Sequence, residues 1–285
     1  MKSYQTDYHV HPNYSADASP VKIKEYCFRA LELGLKEICF TSHLELNPAS
    51  KNKTVILNGE RVSVLDPTWL DSYFKELDQA RAEFKSTELK IKAGIEVGYC
   101  PEEEEIIAKI LDNYPFDFVL GAIHSLNQIS ISSMLESPHY FQNKNLLTVQ
   151  QDYFSRLSEL VDSKLFDCIA HIDIYCRYGL RYHGPDILTL HRGVIEPIFA
   201  KMARQGMGLE INTSSRRRGL KEFHPSLEIL TLAAQSGLEI FTVGSDAHSL
   251  DELGSDIEEA LELLKKLNLS NHVYNRRRPQ ACSDF

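Results

Sequence analysis

Short apolar runs alternate along the chain with longer stretches in which apolar residues recur every three or four positions. The short runs are typical of buried strands and the longer stretches of amphipathic helices. Seven strands are predicted in this way: Asp7–His11, Glu37–Thr41, Leu89–Glu96, Phe116–Ala122, Cys168–His171, Gly208–Asn212 and Ile240–Ser245. Strand–helix alternation predicts a parallel sheet, either open or closed into a barrel.

Helical segments are predicted between these strands, the first of them after a cap at Ser19. They include Pro20–Leu33, Pro67–Phe84, Val149–Leu160, Pro185–Arg204, Pro225–Gln235 and Asp251–Leu267. Two connections, Leu46–Asp66 and Leu126–Leu146, are longer than a compact α/β protein needs, and loops of that length are usually functional or disordered. No linker-like change in composition occurs, so we expect one domain over residues 1–270 and a solvated tail over residues 271–285.

Composition and charge narrow the class of protein. With 43% hydrophobic and 25% charged residues, the chain resembles an ordinary globular protein, and it carries no signal-like or membrane-spanning apolar run. We therefore expect a cytoplasmic protein without a membrane partner. The net charge of −9 disfavours nucleic acid as a partner but is compatible with a small anionic substrate if cations are concentrated locally. The six cysteines form no C-x-x-C pair, which argues against a disulfide framework or a thiolate zinc site.

Metal-competent side chains cluster at one end of the predicted strands. Of the 11 histidines, six lie within about two residues of a strand's C-terminal end: His9, His11, His43, His124, His171 and His248. Three acidic residues occupy equivalent places: Asp17, Glu96 and Asp246. In a parallel barrel these ends converge on one face, where such folds build their active sites.

The spacing of these residues supports a metal site. In His9-Val10-His11 the strand period of two sends both imidazoles to the same side, and Glu96 could bridge two ions with its two oxygens. A lone H-x-H is weak evidence, Glu96 could pair with an arginine, and His43 could cap a helix. Together, however, six imidazoles and three carboxylates exceed the needs of one tetrahedral zinc, so two or three divalent ions are expected.

Arginines beside the same strand ends suggest phosphate as the substrate group. Arg177 and Arg181 lie in one segment with His183, and a run of three arginines, 216–218, follows the sixth strand. Guanidinium groups suit phosphate oxygens and would supply local positive charge. His183 is a further candidate for a substrate contact. The alternative is that these arginines are solvated charges in loops.

Seven short motifs follow one another along nearly the whole chain: D-Y-H-V-H, F-T-S-H-L, G-I-E-V-G, G-A-I-H-S, A-H-I-D, E-I-N-T-S and G-S-D-A-H. In type and order they resemble the motifs of the PHP (polymerase and histidinol phosphatase) family. Within that family, Y-C-R-Y-G and the arginines after E-I-N-T-S resemble the histidinol phosphatase branch.

The resemblance implies a single-domain, distorted (β/α)7 TIM-like barrel with a trinuclear site. Carried over by motif, the first ion would bind His9, His11, Glu96 and Asp246, the second Glu96, His124 and His171, and the third Asp17, His43 and His248. Many relatives have histidine where this chain has Asp17, and the harder carboxylate favours manganese or iron over zinc there. Among the arginines after E-I-N-T-S, Arg217 aligns best with the family's phosphate contact, and Arg177 and Arg217 would neutralise charge on the phosphoryl oxygens.

The implied activity is hydrolysis of L-histidinol phosphate to L-histidinol and phosphate, a step of histidine biosynthesis. Our hypothesis is in-line attack by a hydroxide that bridges two ions, with Glu96, Asp246 and Arg177 as catalytic residues. The proton for the leaving oxygen could come from Asp246, Asp173 or a water ligand. Alternatives are a phosphodiesterase or exonuclease acting on nucleotides or another small ester and, less favoured, a non-catalytic regulatory barrel. The sequence does not specify the oligomeric state.

Overall fold

Seven parallel strands form the central wall of the protein in the computed structural model, which describes residues 5–47 and 53–282. The strands are β1 (Thr6–Val10), β2 (Glu37–Phe40), β3 (Lys90–Gly98), β4 (Phe118–Ala122), β5 (Cys168–Ile169), β6 (Gly208–Asn212) and β7 (Phe241–Gly244). All seven predicted strands are confirmed. They neighbour one another in chain order and are buried on both faces, as parallel strands covered by helices are.

The sheet curls into a nearly closed barrel. Beyond β7, Ala247 forms a parallel bridge with Val10, and the His11 amide donates to the Ala247 carbonyl at 2.8 Å. A short strand, His43–Glu45, continues the line of β2 and pairs with β3. The predicted distorted (β/α)7 barrel is therefore confirmed.

One main helix follows each strand and packs on the outside of the wall. These helices are α1 (Ile23–Leu33), α2 (Thr68–Glu83), α3 (Glu104–Asn113), α4 (Leu146–Ser163), α5 (Glu196–Gln205), α6 (Leu227–Gln235) and α7 (Ile257–Lys266). Shorter helical turns are Pro101–Glu103, Ser137–Phe141, Cys176–His183, Gly184–Thr189, Ser214–Arg217 and Leu250–Glu252. The apolar faces of the main helices and the outward side chains of the strands share one large core.

Two predicted helices are interrupted, and one predicted cap is wrong. In the predicted helix Pro185–Arg204, Gly193, with φ of 76°, separates α5 from the 3₁₀ turn Gly184–Thr189. In the predicted helix Asp251–Leu267, Gly254, with φ of 70°, separates α7 from the 3₁₀ turn Leu250–Glu252. A left-handed residue breaks the helical hydrogen-bond series, and glycine adopts that conformation without a steric penalty. Helix α1 begins only at Ile23, where the Glu25 carboxylate accepts the Lys22 amide, so Ser19 is not its cap.

Both long connections lie at the C-terminal end of the barrel and contain ordered elements. The first carries an antiparallel hairpin, Thr54–Leu57 with Glu60–Ser63. The second carries a two-residue ladder, Ser125–Leu126 with Ile129–Ser130. Residues 48–52 of the first connection lie outside the described ranges.

The C-terminal segment corrects the expectation of a solvated tail over residues 271–285. Strands His272–Asn275 and Arg278–Ala281 form an antiparallel hairpin, and Tyr274 is buried in the base of the barrel. Residues 283–285 lie outside the described ranges. Within those ranges, no helix has the length and apolar character needed to cross a membrane.

Candidate active site

The structure brings all nine predicted metal-competent side chains together at the C-terminal mouth of the barrel. His9 and His11 lie at the end of β1, Glu96 in β3, His124 after β4, His171 after β5, and Asp246 and His248 after β7; His43 begins the short strand after β2, and Asp17 lies in the loop after β1. Strand direction therefore delivers residues from distant parts of the sequence to one face.

The first group of ligand atoms has the spacing of a tetrahedral metal site. His9 Nε2 lies 3.4 Å from Glu96 Oε2 and 3.6 Å from Asp246 Oδ1. His11 Nε2 lies 3.5 and 3.4 Å from the same two oxygens. Metal–ligand bonds of about 2.0–2.1 Å in a tetrahedron place the ligand atoms about 3.4 Å apart. The four side chains thus fit a single ion between them.

A second group forms on the other oxygen of the Glu96 carboxylate. Glu96 Oε1 lies 2.9 Å from His171 Nε2 and 3.2 Å from His124 Nε2. These three residues are close enough together to hold an ion. Since each oxygen of Glu96 faces a different group, the carboxylate has the geometry of a bridge between two ions.

A third group lies nearer to solvent. Asp17 Oδ2 is 3.6 Å from His43 Nε2 and 3.5 Å from His248 Nε2. The Asp17 side chain is 54% exposed, whereas Glu96 is fully buried. This group is therefore the one most open to exchange with water or substrate.

Buried atoms of the first group lack hydrogen-bond partners within the described part of the chain. They are His9 Nε2, His11 Nε2 and Glu96 Oε2. Buried polar atoms in folded proteins are nearly always paired, and an unpaired one costs about 1–3 kcal/mol. A shared cation would provide the missing interaction for all three, so the residues fit divalent ions.

The electrostatics of the cluster favour ionised Glu96 and Asp246 and a neutral His11, whereas neighbouring carboxylates, acting against burial, raise the pKa values of His9, His43, His124 and His248. Burial alone would raise the pKa of Glu96, but neighbouring histidines, His9 foremost, hold that pKa well below its usual range. Burial alone would also raise the pKa of Asp246, but His9 and other histidines hold it well below its usual range. Burial, together with the charge of His248, lowers the pKa of His11 well below its usual value. Both carboxylates are therefore ionised and His11 is neutral at pH 7.

Four of the histidines are held through their second ring nitrogen, which leaves Nε2 directed into the cluster. The pairs are His9 Nδ1 with Glu210 Oε1 at 2.6 Å, His11 Nδ1 with Ser15 Oγ at 3.0 Å, His124 Nδ1 with Glu45 Oε1, and His248 Nδ1 with the Asp246 carbonyl at 3.0 Å. Such outer partners orient metal-binding imidazoles. None of these four partners was predicted from the sequence; for Glu210 the sequence signal was its place in E-I-N-T-S, two residues before Asn212.

A cavity of about 330 Å³ opens over the cluster. Its wall includes Arg177, as predicted, and Arg218, and the two long connections contribute Thr54, Ser130 and Ser132. A cavity of this size suits a small molecule. The cavity therefore combines carboxylates and histidines at its floor with two arginines at its rim.

The other predicted substrate contacts lie elsewhere. Arg217 Nη2 donates to the Ser245 carbonyl at 2.7 Å, behind Asp246, and Arg217 does not line the cavity within the described residues. Arg181 and His183 are in the helix Cys176–His183, and neither lines the described cavity. Contact of these three residues with phosphate stays a prediction.

Asp173, considered as a proton donor, is buried and already paired. His224 Nδ1 lies 2.5 Å from Asp173 Oδ1, and the Ser226 amide donates to Asp173 Oδ2 at 3.1 Å. Asp173 is also absent from the described cavity wall. These contacts tie the loops after β5 and β6 together.

Comparison with known proteins identifies the family. The sequence profile of the PHP domain matches residues 7–214. The chain belongs to the PHP domain family. This PHP domain protein is 26% identical to a probable histidinol-phosphatase of Deinococcus radiodurans, over 96% of this chain and 98% of that one. It is 28% identical to a probable histidinol-phosphatase of Clostridium acetobutylicum, over 95% and 97%.

A solved structure resembles the PHP domain protein over almost its full length. It is histidinol phosphate phosphatase from Lactococcus lactis in complex with zinc, L-histidinol and phosphate. The TM-score is 0.78 and the identity 25%, with 97% of this chain and 99% of that chain covered.

Proposed function

We propose that this PHP domain protein is a metal-dependent phosphomonoesterase that hydrolyses L-histidinol phosphate to L-histidinol and phosphate. The observation that carries the proposal is the Glu96 carboxylate, whose two oxygens face two separate groups of histidine ligands beneath a cavity with two arginines. The choice of substrate is supported by the Deinococcus and Clostridium relatives and by the Lactococcus enzyme with L-histidinol and phosphate.

Two or three divalent ions, zinc, manganese or iron, would occupy the site. His9, His11, Glu96 and Asp246 would hold the first, Glu96, His124 and His171 the second, and Asp17, His43 and His248 the third. Bound ions of this kind lower the pKa of water and neutralise charge on phosphoryl oxygens.

Side chains of the cavity would bind and orient the substrate. Arg177 and Arg218 are placed to donate hydrogen bonds to phosphoryl oxygens, where charge is present in both the ground state and the transition state. Asp246 is directed to the first group by the Ser214 hydroxyl, which donates to Asp246 Oδ2 at 3.0 Å. The cavity of about 330 Å³ favours a small monoester over a polynucleotide.

Two further features belong to the proposal. We assign the C-terminal hairpin to the same domain as the barrel, because Tyr274 packs in the barrel base. A cytoplasmic location and the absence of nucleic acid partners stay predictions.

The proposal is tested by measuring phosphate release from L-histidinol phosphate by protein loaded with manganese or zinc. Other phosphomonoesters and a nitrophenyl diester are assayed under the same metal loading. We expect kcat/KM to be highest for L-histidinol phosphate. Preference for another monoester would overturn the substrate assignment, and preference for the diester would favour the phosphodiesterase alternative.

A further inference from the structure

Glu210 is a buried carboxylate beneath the metal cluster that no proposed ion-binding role uses. It lies in β6 and is 1% exposed. Its Oε1 atom lies 2.6 Å from His9 Nδ1. Its Oε2 atom accepts the backbone N–H of His171 at 2.9 Å and the side-chain amide of Asn212 at 3.1 Å. One carboxylate therefore contacts histidines from both the first and the second ligand group.

All three of these contacts require Glu210 to act as a hydrogen-bond acceptor. The His171 amide and the Asn212 side-chain nitrogen are donors, and His9 must carry its proton on Nδ1 if Nε2 is to bind a metal. An ionised glutamate offers acceptor oxygens only and satisfies all three donors. Glutamine has the same shape but would set its NH₂ group against at least one of them.

The backbone of His171 shows why such an anchor matters. Its φ is 26°, in the left-handed region that non-glycine residues rarely adopt. The hydrogen bond from its N–H to Glu210 holds the chain in this conformation, and the imidazole then reaches Glu96 Oε1. Glu210 thus stabilises a strained turn that carries a ligand of the second group.

The neighbouring strand is shaped to admit this carboxylate. A Cβ atom at Gly244 in β7 would lie 2.6 Å from Glu210 Oε1 and 2.4 Å from His9 Cβ. Such contacts are too short for any residue larger than glycine. The absence of a side chain at this position provides the space in which Glu210 meets His9.

We propose that Glu210 is a positioning residue that fixes two ion-binding groups at once. Glu96 joins the groups from the cavity side through its two oxygens, and Glu210 joins them from the barrel interior through His9 and the His171 backbone. The inference rests on the metal binding set out under the proposed function. Loss of Glu210 should then lower the affinity of the protein for both ions, although Glu210 would contact neither ion.

The test is a zinc titration of Glu210→Gln in a metal buffer, with bound zinc counted by mass spectrometry. We expect the affinity for the ions of the first two groups to fall about 10–100-fold, the usual effect of losing an outer partner. Glu45→Gln is the matched control, since within the described residues Glu45 hydrogen-bonds to His124 and to no other predicted ligand. That variant should lower the affinity for only one of the ions.

Glu210→Asp separates positioning from folding. It keeps both acceptor oxygens on a shorter side chain, so it should bind zinc more tightly than Glu210→Gln, and it serves as the test variant if Glu210→Gln does not fold. Wild-type zinc affinity in the Gln variant, or the loss of only one ion, would overturn the inference. If wild-type protein itself binds no zinc, the proposed function fails together with the inference.

Discussion

The rings of Phe118 and Tyr274 pack against each other at the base of the barrel, with their centroids 4.7 Å apart. Phe118 is the first residue of β4, whereas Tyr274 belongs to the C-terminal hairpin. The Tyr274 amide donates to the Tyr8 hydroxyl at 2.7 Å, and the Tyr274 hydroxyl lies 3.3 Å from Cys168 Sγ. The hairpin therefore closes the end of the barrel opposite the active site.

Replacement of Tyr274 should destabilise the fold without removing the metal site. We expect Tyr274→Ala to lower the free energy of unfolding by about 3–5 kcal/mol, because it leaves a large cavity among buried rings. Tyr274→Phe keeps the ring and should cost about 1 kcal/mol for its lost polar contacts. Urea denaturation measures both values. Equal stability of Tyr274→Ala and wild type would show that the hairpin does not support the barrel.

The hairpin residue Arg277 contacts Asp167, a buried carboxyl group whose raised pKa predicts that the stability of the fold depends on pH. Burial raises the pKa of Asp167 to about 6, although Arg277, whose Nε is 3.0 Å away, opposes the increase. An unfolded aspartate has a pKa of about 4. The folded state then binds the proton more tightly, so the contribution of Asp167 is most favourable below about pH 4 and declines as the pH rises to about 6.

This effect is measured as a difference between wild type and Asp167→Asn. Both proteins are unfolded with urea in metal-free form from pH 4 to pH 7. Because the variant cannot titrate at this position, wild type should lose stability relative to it between about pH 4 and pH 6, with little change above. A difference that stays constant over this range would contradict the raised pKa.

The strands were predictable from the sequence, but the hairpin was not. Each barrel strand is buried on both faces, so a local run of apolar residues such as Phe118–Ala122 is sufficient to predict it. Burial of Tyr274 depends instead on Tyr8, Phe118 and Cys168, which are distant in sequence and meet only when the barrel forms. No local periodicity around Tyr274 indicates that contact.

The gathering of the nine metal-competent side chains was predictable for a similar reason, whereas the arginine of the run 216–218 that faces the cavity was not. Residues at the C-terminal ends of parallel strands must meet at one face, whatever their separation in sequence. Which arginine of the run 216–218 faces the cavity depends on the turn of the short helix Ser214–Arg217. That turn directs Arg217 to the Ser245 carbonyl, and Arg218 reaches the cavity instead.

The arginines are therefore expected to differ in function. Arg177→Ala and Arg218→Ala should each lower kcat/KM about 10–100-fold, since a hydrogen bond to a charged group contributes about 1.5–3 kcal/mol. Arg217→Ala should act mainly on the loop that carries Asp246, lowering metal affinity and thermal stability together. Steady-state kinetics and zinc titration of the three variants distinguish these outcomes. A lower kcat/KM in Arg217→Ala with unchanged zinc affinity would instead support contact between Arg217 and the phosphate of the substrate.

Glu96→Gln tests the centre of the proposed site. The substitution keeps the shape of the side chain but replaces one anionic oxygen with an NH₂ group, which cannot bind a cation. Since the two oxygens face different groups, at least one ion should be lost, whichever way the amide turns. We expect turnover to fall by more than about 100-fold, beyond the usual effect of an outer partner. Metal analysis and phosphate release are measured on the same preparation, with Glu258→Gln, an exposed change on α7, as the control. Full metal content and full activity in Glu96→Gln would rule out the bridging role. Full metal content with lost activity would instead limit Glu96 to a direct effect on the reaction.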